Sequence, residues 1–173
     1  MTPEIMFDKL PETRAMFGSD PAKTVGSYRQ ILQGKAGWDV THAMLTDRMF
    51  WIPHIRLEEA QAPYAKTWMY QLAWPSPFAF GVLGSYHSLD ILFVFHNLDK
   101  AGPASYIPDD LAESIQEAWI AFATTGDPNH KGLTYWPVYE TGKRPTMIFD
   151  VGPYVQDDPD MASRQLCAEI PVK

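Results

Sequence analysis

Five histidines, a lone cysteine and a scatter of serines are the residues with which this chain could do chemistry. A helical zinc site asks for histidines at i, i+4 with further sulfur or carboxylate ligands. His42, His54, His87, His96 and His130 contain no such pair and Cys167 stands alone, so neither a metal site nor a cofactor is expected. A serine-hydrolase nucleophile sits in G-x-S-x-G, where the glycines permit a strained strand-to-helix elbow. No serine here has glycine at both −2 and +2. Ser85 and Ser88 flank His87, but that spacing builds no elbow, and a Ser85/His87 dyad or metal-based hydrolysis ranks last among the readings.

One histidine differs from the rest. His87 ends the glycine-containing segment Gly81-Val82-Leu83-Gly84-Ser85-Tyr86-His87 and precedes the apolar run Ile91 to Phe95. It also follows an aromatic-rich strand candidate by about a dozen residues. Loops beyond the carboxyl ends of α/β strands are where such folds place function. His42 and His54 fall on predicted helices and read as surface or satisfied core residues, while His130 falls in a turn and reads as solvated. The chain thus offers a candidate general base, His87, without a recognisable nucleophile.

The elements that would position His87 are legible in outline. Thr67 to Trp74 reads as a strand apolar on both faces, a pattern typical of an interior strand covered by helices. Pro108 to Thr125 reads as a helix, with Pro108 at its start, acidic residues in its first turn, and a Leu111, Ile115, Ala118, Trp119, Phe122 stripe. Gly126 caps its end and Gly126-Asp127-Pro128-Asn129 is a turn. Asp39 to Ala62 predicts two consecutive or kinked helices divided at Pro53, with Val40, Ala43, Met44, Met49 and Phe50 near one face. Asp20 can cap a short helix over Pro21 to Leu32. Pro145 to Asp150 suits a short strand, and the tail from Asp157 to Lys173 a last helix. Helices around two or three strands imply an α/β fold whose sheet is incomplete, because so few strands do not make an independent doubly wound sheet.

Composition narrows the function classes. With 173 residues, 46% hydrophobic and 20% charged, the chain is the size and make-up of one globular domain. Fifteen prolines and six tryptophans indicate long loops pinned by rings. A formal net charge of −7 argues against nucleic-acid binding. No apolar run is long enough for a membrane span, and Met1 to Leu10 show no signal-peptide pattern, so a cytoplasmic location is the default expectation.

Several segments resemble one family in order. Gly84-Ser85-Tyr86-His87-Ser88-Leu89-Asp90-Ile91-Leu92-Phe93-Val94-Phe95 is similar to the catalytic-histidine segment of type-B carboxylesterases, roughly G-A-x-H-x-x-(E/D)-L-x-(F/Y)-V-F. Leu92 stands where proline is common there, and His96 where glycine is. Thr46 to Pro53 resembles the family's T-D-x-x-F-x-x-P helix, and Met69-Tyr70-Gln71-Leu72 its Y-x-Y-x-F strand. Trp119 to Asn129 resembles W-x-x-F-A-x-x-G-D-P-N, and Trp136 to Tyr139 resembles W-P-x-Y. The resemblance runs over nearly the whole chain, residues 1–37 being the least assigned, and it implies a single partial domain equivalent to the C-terminal portion of an α/β-hydrolase. It implies carboxylic-ester hydrolysis of a small-molecule substrate by a Ser-His-acid triad, with His87 as the base. Asp90 matches an acidic position better suited to structure than to the triad. The nucleophile, triad acid and oxyanion hole belong to parts of the family that do not match here. The alternative is a non-catalytic truncated remnant that folds as an oligomer and at most binds small apolar molecules.

A strand apolar on both faces, with no predicted neighbour on one side, leaves a backbone edge and an apolar surface that favour association. The expected state is therefore a homo-oligomer, or pairing with a missing N-terminal part. Sedimentation of the soluble chain should show a dimer or larger species at micromolar concentration. A cooperatively melting monomer would count against this.

Overall fold

Proline and glycine placement sets most element boundaries. The structure, a computed structural model, describes residues 17–35, 37–101 and 107–170. The stretch Met1 to Leu10 lies outside the described residues. The chain divides into two compact units, residues 1–60 with 160–173, and residues 61–159.

In the first unit, helix α1 spans Pro21–Ile31. The Asp20 carboxylate accepts from the Lys23 N–H at 3.0 Å, and Pro21 occupies the first turn, where its missing N–H is harmless. Helix α2 (Gly37–Thr46) continues through a π turn, Asp47–Trp51, into α3 (Ile52–Gln61). The expected break at Pro53 therefore takes a subtler form. Pro53 has no N–H to donate, and the wider turn, in which the Ile52 N–H reaches the Asp47 carbonyl, carries the chain past it without ending the helix. The extra residue also shifts the helical phase. Val40 and Met44 stay buried while Met49, predicted on the same face, is 54% exposed. Helix α6 (Met161–Ala168) completes the unit, as the tail predicts.

The π turn also buries a carboxylate. Asp47 accepts a hydrogen bond from the Tyr28 hydroxyl at 2.7 Å, and the Cys167 sulfur lies 3.1 Å from the same hydroxyl. Burial pushes the Asp47 carboxyl above its ordinary range; hydrogen bonds from Tyr28 and Ser163 oppose the shift, and the Asp160 carboxylate adds to it. Burial likewise raises the Tyr28 phenol and the Cys167 thiol, so both stay protonated at neutral pH.

The second unit holds the sheet, in the order β1-β2-β3. Strand β1 (Met69–Leu72) runs parallel to β2 (Pro145–Phe149), with Met69 opposite Thr146 and Leu72 opposite Phe149. Strand β3 (Tyr154–Asp157) returns antiparallel, with Pro145 opposite Asp157. The sequence expects the strand at 67–74 to be apolar on both faces and to lack a neighbour on one side. Among the described residues it is β2 that is interior, buried at all five positions, while β1 bonds a strand on one side only. Two helices cover the sheet residues, α4 (Leu89–Val94) and α5 (Asp109–Thr125). The apolar run after His87 is thus helical. Pro108 caps α5 rather than opening it, and Gly126, at φ 78°, ends it in a left-handed turn with its N–H on the Phe122 carbonyl.

The core of this unit gathers Trp74, Leu89, Phe93, Leu111, Ile115 and Phe149. Phe93 is fully enclosed, and truncating a side chain so placed costs about 3–5 kcal/mol. The α5 stripe splits. Leu111, Ile115 and Ala118 enter the core, whereas Trp119 and Phe122 stay about half exposed and meet the rings of Tyr70 and Trp68 edge-on. The Gly126-Asp127-Pro128-Asn129 turn has a structural purpose. The Asn129 side chain donates to the Trp136 carbonyl and accepts from its N–H, at 2.9 and 2.7 Å. Trp136 in turn donates its indole N–H to the Met69 carbonyl at 3.1 Å.

Asp47 generates a pH prediction. Its folded-state carboxyl lies above the unfolded value of 3.8, so its contribution to stability is complete only below that value and is lost as pH rises through the folded value. Asp47→Asn keeps an acceptor for Tyr28 and removes the charge. The Tm difference between Asp47→Asn and wild type should therefore move in favour of the variant as pH rises from about 4 to about 7. A flat difference across that range would refute the assignment.

Candidate active site

The candidate base is built at the carboxyl end of β1. After Leu72 the chain turns inward at Trp74 and Ser76, both buried. Ser76 closes the base of the following loop. Its N–H donates to the Gly84 carbonyl at 3.1 Å, and its hydroxyl accepts from the Phe78 N–H at 3.1 Å. Within that loop Phe78–Gly81 forms a 3-10 turn, and Phe78, Phe80 and Val82 face solvent. Gly84, at φ 55°, then redirects the chain into Ser85-Tyr86-His87-Ser88.

His87 lies on a tight turn in which the Leu89 N–H donates to the Tyr86 carbonyl at 3.1 Å. Ser88 takes the left-handed conformation, φ 68°, that lets α4 begin immediately afterwards. Leu89 is buried and Tyr86 packs against the core, so the residues on either side anchor the turn while His87 itself is exposed. The Ser85 hydroxyl donates to the Leu72 carbonyl at 2.6 Å, which places the turn against the last residue of β1. The Tyr70 hydroxyl donates to Asp90 Oδ2 at 2.9 Å. Burial, then the Asp90 carboxylate, raises the Tyr70 phenol, which remains a neutral donor at every working pH. Asp90 therefore joins α4 to β1, in keeping with the structural role expected of it.

The remaining histidines are elsewhere. His42 and His54 are on α2 and α3, the latter with Nδ1 2.6 Å from the Phe50 carbonyl. His96 follows α4 in a left-handed conformation, φ 50°. His130, expected to be solvated, is held against α5. Its Nδ1 lies 2.9 Å from Glu117 Oε2 and its Nε2 3.2 Å from the Ser114 carbonyl. A turn residue reads as exposed in sequence, but the Asn129 clasp on Trp136 brings this turn back onto the helix. Among the described residues no three His, Cys, Asp or Glu side chains are grouped to hold a metal ion, and no helix is long and apolar enough to cross a membrane. What sequence reasoning missed is the part played by Tyr70 and by Ser85, the latter considered only as a nucleophile. A hydroxyl that bonds across a fold leaves no periodic or spacing signal; the nearest hint was the Met69-Tyr70-Gln71-Leu72 block itself.

The model of the Carboxylesterase family matches residues 27–165. The chain belongs to the carboxylesterase family. This carboxylesterase chain is 37% identical over 127 residues to the para-nitrobenzyl esterase of Bacillus subtilis, a match covering 70% of it and 26% of that protein. It is 32% identical over 113 residues to the phenmedipham hydrolase of Pseudarthrobacter oxydans, covering 61% of it and 23% of that protein. Among solved structures it is similar to a Geobacillus stearothermophilus carboxylesterase, with a TM-score of 0.74 at 28% identity over 94% of this chain and 36% of the other. It is also similar to a thermophilic PNB esterase, with a TM-score of 0.71 at 29% identity over 96% of this chain and 33% of that one. The carboxylesterase chain thus spans about a quarter of the length of these curated relatives. Its helices and three-stranded sheet form part of an α/β-hydrolase fold, as the type-B carboxylesterase resemblance implies.

Exposure separates the histidines chemically. Carbethoxylation of the folded chain should modify His87 quickly and His130 slowly, read by peptide mass spectrometry. Equal rates would contradict the geometry of the His87 turn.

Proposed function

We propose that this chain serves carboxylic-ester hydrolysis by supplying the histidine of a Ser-His-acid triad, His87, with the nucleophilic serine and the acid coming from polypeptide outside these 173 residues. The observation that carries the reading is the placement of His87. It is exposed, on a tight turn, against the carboxyl end of a parallel strand, in a chain of the carboxylesterase family.

The chemistry asked of His87 is proton transfer in two directions. Its imidazole accepts the proton of a serine hydroxyl as that oxygen attacks the ester carbonyl carbon, then gives it to the departing alkoxide, releasing an alcohol and leaving an acyl-serine. Water then attacks the acyl carbon, with its proton taken by the imidazole and returned to the serine oxygen, releasing the carboxylic acid. A small-molecule ester is the substrate class. Asp90, engaged by Tyr70 and only three residues from His87, is not the triad acid in this reading. The relatives named para-nitrobenzyl esterase and phenmedipham hydrolase support hydrolysis as the activity and leave the acyl and alcohol groups open.

Loss of a triad member lowers turnover by about four to six orders of magnitude. The isolated chain should therefore hydrolyse a para-nitrophenyl ester no faster than free imidazole does. Supplied with a complementing polypeptide that carries G-x-S-x-G, it should turn the ester over, and His87→Ala should abolish that activity without lowering Tm. His42→Ala, His54→Ala and His130→Ala should retain most of it. Turnover by the chain alone that vanishes in His87→Ala and after serine-directed phosphonate labelling would overturn the division of labour. An equal loss in one of the other three variants would overturn the choice of base.

A further inference from the structure

The turn that presents His87 cannot be held by its own helix. Helix α4 has six residues, and its cap, Ser88, is left-handed and makes no side-chain capping bond. Something outside the turn must fix it, since a general base works only within hydrogen-bond reach of the proton it moves. Two hydrogen bonds to β1 do so from opposite sides. Two residues before His87, the Ser85 hydroxyl donates to the Leu72 carbonyl at 2.6 Å. Three residues after it, Asp90 accepts from the Tyr70 hydroxyl at 2.9 Å. The strand end of this second bond is itself immobilised. The Tyr70 ring meets Trp119, Trp136 and Phe149 edge-on, with centroids 6.5, 6.2 and 5.8 Å away.

We infer that Tyr70, Asp90 and Ser85 form a two-point clamp that locks the His87 turn onto β1, making them positioning residues for the general base. The catalytic sense of this clamp rests on the reading of His87 given above; the clamp itself does not. Tyr70 stays protonated and so always donates, and Asp90 is needed as an acceptor rather than as a charge. That distinction separates the clamp from direct electrostatic action of Asp90 on the imidazole. An asparagine at position 90 still offers a carbonyl oxygen to Tyr70, whereas an alanine does not.

The test uses the folded chain itself. Three-bond couplings report the χ1 rotamer of His87, and hydrogen exchange reports the amides from Ser85 to Leu89. Wild type and Asp90→Asn should show one His87 rotamer and slow exchange. Tyr70→Phe, Ser85→Ala and Asp90→Ala should average the rotamers and speed exchange about ten-fold or more, a bond's worth of local opening. Thr134→Ala, which removes a hydroxyl bond to the Pro153 carbonyl in the same unit, should leave both unchanged. In the complemented hydrolase the clamp-breaking variants should lower kcat about ten-fold at unchanged KM, with Asp90→Asn near wild type. A single fixed rotamer in Tyr70→Phe and Ser85→Ala would overturn the clamp, and so would Asp90→Asn behaving like Asp90→Ala. A complemented chain that hydrolyses no ester while the couplings behave as stated would overturn the proposed function and leave the clamp standing.

Discussion

Complete burial of Pro145–Phe149 is the constraint around which the second unit is organised. A backbone with no access to water must find its hydrogen bonds within the fold, so β2 needs a strand on each side. It takes β1 in parallel and β3 in antiparallel register. The parallel partner then has a defined carboxyl end, and the backbone confirms it beyond the strand: the Ala73 and Trp74 N–H groups both donate to the Phe149 carbonyl, at 2.8 and 3.2 Å. That contact fixes where the chain leaves the sheet. The loop closed by Ser76, the turn carrying His87 and the short helix after it all take their positions from this exit point.

Aromatic rings transmit the same constraint outward. Tyr70, Trp136 and Phe149 meet edge-on in one cluster, which suits the ring quadrupoles better than stacking would. The polar ends of these rings are not wasted: the Trp136 indole bonds the β1 backbone and the Tyr70 hydroxyl bonds Asp90. One cluster therefore joins the sheet, the 126–129 turn and the His87 segment. The high tryptophan count, an oddity in the composition, is explained here, with Trp68, Trp74, Trp119 and Trp136 all in this unit.

Periodic and punctuating signals were readable in the sequence; cross-fold polar ones were not. The Leu111-Ile115-Ala118 row, the Gly126 cap and the Asp20 cap follow local rules that act within a turn or two, and they stand where those rules put them. The edge position of Thr67 to Trp74 follows from its missing neighbour, but that Pro145 to Phe149 would be the interior strand was not legible, because that segment is less rich in apolar residues. Burial is decided by neighbours in space, and Thr146 is buried although nothing in its type asks for it. Pro53 announced a disturbance without revealing its form, since a π turn and a kink satisfy a missing N–H equally well. Strand β3 went unassigned because its residues are mostly exposed and carry no alternation. Of the candidate site, His87 was legible through its segment, while Tyr70 and Ser85 acquire meaning only once β1 and the turn are side by side.

The register of the sheet also bears on the order in which it is made. Strands β2 and β3 are joined by a short connection from Phe149 to Tyr154, so their pairing closes a small loop. Pairing β1 with β2 brings Met69 to Thr146, and everything between, including α4 and α5, must be gathered first. Loop-closure entropy and the slow kinetics of non-local parallel contacts both place that step late. The turn bearing His87 depends on β1 and belongs to the long intervening segment. Its geometry is therefore a product of the final stage of folding, and a chain caught before that stage would hold the hairpin and the long helix yet have nowhere to put its histidine.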